Sequence, residues 1–139
     1  MTLAAAYSPE VLRRCREMPR AGGWPEHDPQ VGTGAVGSLE AGTLVRLQVR
    51  LSDGGRVVDD ARFKVFGCSA AIASASLAAD RIAGASVTDA RSLAADALAE
   101  ALELPDDKRA MAARAVDAVR AAIEDWERKN PDQRLAARG

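Results

Sequence analysis

The chain has 139 residues, 47% of them hydrophobic and 28% charged, and a formal net charge of −1. That is the size and balance of one globular domain, and it excludes wholesale disorder, a fibrous repeat and the positive field of a general nucleic-acid binder. Every apolar run is broken well before the roughly 18 residues a membrane span needs, and no basic flank leads from residues 1–6 into a signal core; a cytoplasmic protein with no membrane partner is expected.

Ser8 followed by Pro9 places a capping hydroxyl before a proline at the first helical position, and Val11 and Leu12 begin an apolar stripe. A short helix to about Glu17 is predicted. Residues 18–37 hold Gly22, Gly23, Pro25, Pro29, Gly32, Gly34 and Gly37, so they read as loop with at most one edge strand. From Gly42 the period becomes two: Val45, Leu47, Val49 and Leu51 alternate with Arg46, Gln48 and Arg50, which predicts a half-buried strand. Asp53, Gly54 and Gly55 supply a turn, and Ala61, Phe63 and Val65 alternate on the return, so an antiparallel hairpin is expected.

After Gly67 the period turns helical through Ile72, Ala75, Ala79 and Ile82, ending near Gly84. Ser86 opens a short segment, and Leu93, Ala97, Leu98 and Ala101 mark another. Pro105 precedes a long helix whose stripe is Met111, Ala115, Val119, Ala122 and Trp126, stopped at Asn130 and Pro131. The alanine-rich, aromatic-poor composition suits closely packed helices. We therefore expect an α+β fold in one domain over residues 1–131, with a small antiparallel sheet, helices on one of its faces, and a flexible tail over 132–139.

Few residues stand out chemically. Cys68 sits where a strand runs through Gly67 into a helix, so unpaired backbone N–H groups and the helix dipole face its sulfur; it reads either as a reactive or metal-binding atom or as a small residue filling the junction. Cys15 lies between two cations, Arg14 and Arg16, and is given no role. His27, alone in a proline-rich loop, lacks a second histidine for a metal pair. Gly32, Gly34 and Gly37 have the spacing of a dinucleotide loop but precede a strand instead of following one, which rules that reading out. The pairs Asp59-Asp60 and Asp106-Asp107 read as solvated turn charge.

The segment from Val31 to Gly37, the strand through Leu47-Gln48-Val49, and Asp60-Ala61-Arg62-Phe63-Lys64-Val65-Phe66-Gly67-Cys68-Ser69-Ala70-Ala71-Ile72-Ala73-Ser74 together resemble the IscU/NifU-type iron-sulfur cluster assembly scaffolds. The likeness runs from about Tyr7 to Glu127 and includes Pro19-Arg20 and Glu103-Leu104-Pro105. It implies a three-stranded antiparallel sheet packed against several α-helices. It also implies three cysteines, a neighbouring aspartate and often a histidine around a cluster or zinc site. Here Ala41, in Glu40-Ala41-Gly42-Thr43, takes the place of the first cysteine, and Ala110-Met111 that of the histidine-cysteine step, leaving Cys68 as the one matching cluster or metal ligand. Met111 reads as core, and the carboxylates of Glu40 and Asp107 are hard ligands for ferrous sulfide.

The resemblance further implies a cysteine desulfurase as partner, with an Hsp70-type chaperone, acceptor apoproteins and a second copy of the chain as others. Leu104, Pro105 and Lys108 stand in the chaperone-recognition segment, here interrupted by Asp106 and Asp107. The expected function is that of a non-enzymatic iron-sulfur assembly scaffold, with an iron-sulfur cluster, iron or zinc at Cys68. The alternative is a cluster-free module that binds or modulates the desulfurase and assembly machinery. An independent thiol enzyme ranks below both, since no histidine or second thiol is paired with Cys68 in the sequence.

Overall fold

A computed structural model describes residues 7–132. The tail expected over 132–139 lies, apart from Asp132, outside the described residues, as do residues 1–6.

The first helix, α1 (Pro9–Glu17), begins as its sequence dictates: the Ser8 hydroxyl accepts from the Val11 N–H at 3.2 Å, and Met18 ends the helix in a left-handed conformation. Three strands follow, β1 (Val31–Ser38), β2 (Thr43–Ser52) and β3 (Val57–Phe66), paired antiparallel in the order β1-β2-β3. Leu47 on the central strand faces Gly34 on one side and Phe63 on the other. The helices are α2 (Ser69–Ile82), α3 (Val87–Arg91), α4 (Ala95–Ala101) and α5 (Ala110–Lys129). α5 lies across β1 and β2, α2 lies against β3, and α1 lies on α2. Val45, Leu47, Val49 and Phe63 from the sheet meet Ala115, Val119, Ala122 and Ile123 from α5 in one core. None of the helices is long and apolar enough to cross a membrane among the described residues.

The hairpin, its turn and the helices after Gly67 match the periodicities, and the helical layer covers one face of the sheet. Two features were less visible. The glycines of β1 lie in the one edge strand that this segment allowed, and α5 packs directly on them: a Cβ at Gly34 would stand 2.2 Å from the Ala118 carbonyl oxygen, and one at Gly32 2.1 Å from that of Ala122. This close approach accounts for the glycine spacing without any phosphate. On the opposite face Gln48, expected toward solvent, is buried. Its amide accepts from the Trp24 N–H at 2.7 Å and donates to the Trp24 carbonyl and the Thr33 hydroxyl, both at 2.9 Å. Residues 20–22 bond to Phe63 along the free edge of β3, so the same segment covers both edge and face. The Trp24 ring carries the Arg62 guanidinium 4.4 Å from its centroid.

Candidate functional site

α1 is locked to α2 by a buried cation. Arg14, 6% exposed, donates to Asp80 at 2.6 Å, Ser76 at 2.9 Å and Glu10 at 2.9 Å, and Arg20 reaches Asp80 at 3.0 Å and Asp60 at 2.7 Å. Burial works to raise the Asp80 carboxyl, but the hydrogen bonds and charges of Arg14 and Arg20 outweigh it and hold the group below the ordinary aspartate range. Asp60, half of one predicted acidic turn pair, is thereby occupied as an ion-pair partner.

This lock fixes what surrounds Cys68. The strand β3 ends at Phe66, Gly67 follows, and Cys68 takes the N-cap position of α2 in an extended conformation, with no capping bond from its side chain. It is half-buried, with its neighbours Phe66 and Gly67 exposed. A Cβ on Gly67 would lie 3.2 Å from the Thr43 methyl, so the turn between β1 and β2, which carries exposed Glu40 and Ala41, abuts the junction. The hydroxyl of Ser8 donates to the Leu102 carbonyl at 2.6 Å and ties the start of α1 to the end of α4, bringing the Asp106–Lys108 turn alongside.

Tyr7 marks the centre. Its hydroxyl pKa is pushed up, first by burial and then by Cys68; Lys108 opposes the shift, and Asp107 and Cys15 add to it. The electrostatic neighbours of this one phenol are thus both cysteines and, from the 106–108 turn, Asp107 and Lys108. Leu104 is buried in the core, Pro105 and Lys108 are half-buried, and Asp106 and Asp107 are exposed.

The residue that sequence reasoning passed over is Cys15. Its sulfur donates to the Ser69 carbonyl, one residue past Cys68, at 3.4 Å. Burial pushes the Cys15 thiol up, the Ser69 contact opposes this, and the nearby Cys68 raises it further. Of the two flanking cations, Arg14 is turned into its own ion-pair network and Arg16 is exposed. Nothing in the spacing of residues 15 and 68 foretold this pairing, which depends on how α1 packs on α2.

His27 is exposed in its loop, and Met111 packs against the core as its stripe required. No three His, Cys, Asp or Glu side chains stand together as a metal-holding group among the described residues. An iron-sulfur cluster takes about four thiolate or imidazole ligands, so the donors of a single chain do not fit it. What the arrangement does provide is two thiols that are electrostatic neighbours of each other and of Tyr7, one at the N-cap of α2 and one on α1.

The family model for the NifU-like N-terminal domain matches residues 6–133. The iron-sulfur cluster assembly scaffold protein IscU of Escherichia coli K12 is 38% identical over 124 residues, covering 89% of this chain and 96% of the relative. The protein of the same name from Azotobacter vinelandii is 37% identical over the same shares. Among solved structures, the N-terminal part of a nitrogen-fixing NifU-like protein from Brucella abortus superposes with a TM-score of 0.63 at 25% identity, covering 88% of this chain and 94% of that one.

Proposed function

We propose a function from the premise that this chain belongs to the NifU-like N-terminal domain family: it is a non-enzymatic, scaffold-like protein of iron-sulfur cluster assembly, and Cys68 is the residue that receives sulfur and contacts metal. The observation that carries the reading is the placement of Cys68. Its sulfur is free of any capping bond at the end of β3, and exposed Phe66 and Gly67 leave the approach to it open.

The cluster or its iron is cargo in this reading. One chain contributes Cys68 and leaves the other coordination positions to a second copy or to a partner's thiols, with zinc as a second metal of the same site. The sulfur comes from a cysteine desulfurase in the cytoplasm, meeting the open face around Phe66 and Cys68. Pro105 and Lys108 form the surface offered to an Hsp70-type chaperone, with Leu104 holding that turn to the core from beneath. Acceptor apoproteins take the product.

Anaerobic reconstitution with ferrous iron, a cysteine desulfurase and cysteine tests this on wild type and Cys68→Ser, both checked for folding by circular dichroism. Bound iron and sulfide with charge-transfer absorption, lost in Cys68→Ser, is the expected result. The incomplete donor set favours one second reading, a cluster-free module that binds the desulfurase. It predicts no metal on either protein and desulfurase binding that survives Cys68→Ser.

A further inference from the structure

The second cysteine has no part in that function, yet it bonds to the residue that follows the first. The Cys15 sulfur contacts the carbonyl of Ser69, the residue next to Cys68. Both sulfurs pack at the margin of the same core, and both are electrostatic neighbours of Tyr7. α1, which carries Cys15, is held to α2 by the Arg14 ion pairs, so the approach is built in and needs no folding of a loop. At 3.4 Å the contact to Ser69 is a weak sulfur hydrogen bond that the thiol can leave at little cost.

We propose that Cys15 is the resolving thiol of Cys68, displacing sulfide from a persulfide that Cys68 carries. This rests on the reading of Cys68 as a sulfur acceptor. A persulfide donor, R–S–SH, first gives its outer sulfur to Cys68 and leaves as R–SH. Cys15 then loses its proton to solvent, and its sulfur attacks Cys68 Sγ. The bond between Cys68 Sγ and the outer sulfur breaks, its electron pair leaves with the outer sulfur as hydrosulfide, and a Cys15–Cys68 disulfide forms. The sulfane sulfur is reduced by two electrons, one from each cysteine. A dithiol reductant then restores both thiols.

Both thiols are half-buried, and the exposed Phe66 and Gly67 beside Cys68 leave the approach to its sulfur open to a donor.

The test treats reduced, anaerobic protein with one equivalent of cysteine persulfide and follows hydrosulfide release and intact mass. Wild type is expected to release close to one hydrosulfide per chain, lose two hydrogens in mass, and yield a Cys15–Cys68 linked peptide on digestion. Cys15→Ser and Cys15→Ala are both expected to keep one added sulfur on Cys68 and release hydrosulfide at least tenfold more slowly; Cys68→Ser is expected to do neither. Equal release from the Cys15 variants, or a wild type that simply holds the added sulfur, overturns the resolving role and leaves Cys68 as acceptor. Failure of the Cys15 variants to take up sulfur overturns the acceptor reading as well.

Discussion

Replacing Gly34 by alanine is the sharpest test of how this fold holds its site. The added Cβ would stand 2.2 Å from the Ala118 carbonyl oxygen, 2.5 Å from the Ala122 nitrogen and 2.8 Å from the Ala121 Cβ, all inside the 3.0 Å that real Cβ atoms respect. Two of these neighbours are backbone atoms of α5, so no side chain can swing aside. The helix must move out by roughly an ångström, loosening Ala118, Ala122 and Ile123 from β1 and β2 and stretching the 2.9 Å bond between Asp125 and the Thr33 N–H. Overpacking costs about 1–3 kcal/mol and occasionally more, against a gain of about 0.5–1 kcal/mol for alanine over glycine in a strand. With backbone as the obstacle we take the upper end, a net loss of about 2 kcal/mol. At a urea slope of about 2 kcal/mol per M, the unfolding midpoint by far-ultraviolet circular dichroism falls by about 1 M. Gly42→Ala is the control: its φ is +87° with nothing within 4 Å, so it pays only the left-handed penalty of about 1 kcal/mol. A Gly34→Ala protein within about 1 kcal/mol of wild type, or one more stable than Gly42→Ala, refutes the close-packing argument.

The remaining expectations concern the polar ties. Asp80→Asn keeps the shape but removes the charge that answers buried Arg14, and with Glu10 still bonded to that guanidinium the loss is about 2 kcal/mol at neutral pH. Because the native Asp80 carboxyl is held below its unfolded value of about 3.9, its stabilisation is full above that pH and lost as pH falls through the folded value, so wild type and variant converge in acid; a stability difference unchanged from pH 7 to pH 2 contradicts this. Gln48→Leu leaves the Trp24 N–H and carbonyl without their side-chain partner, and a loss of about 2 kcal/mol with red-shifted tryptophan emission is expected. Unchanged emission would mean the segment is held by other contacts.

The legible parts of this fold are those in which one local rule decides. The period of two in Val45, Leu47 and Val49 requires only that one face be buried, and the cap at Ser8 requires only its own helix. Strand β1 was obscured because its glycines answer a demand made by α5, some ninety residues away, and glycine by itself signals loop. Gln48 was misplaced for a similar reason: alternation assigns it to the outer face, and it does lie there, but the segment around Trp24 covers that face. Cys68 could be singled out because its surroundings, a strand end, a glycine and a helix start, are contiguous. Cys15 could not, since the contact that matters to it is with Ser69 and forms only when α1 lies on α2.

That difference bears on the chemistry of the site. A chain with Ala41 and Met111 where scaffolds of this type were expected to carry thiolates keeps a single matching ligand, and on a count of ligands alone it is a poor holder of metal. Counting electrons gives another result. Two thiols fill at most two of about four coordination positions, yet two thiols are the full requirement for turning one sulfane sulfur into sulfide. The neighbouring placement of Cys15 and Cys68 therefore suits delivery of sulfide better than retention of a cluster. On the proposed sulfur chemistry, a missing iron ligand is no defect.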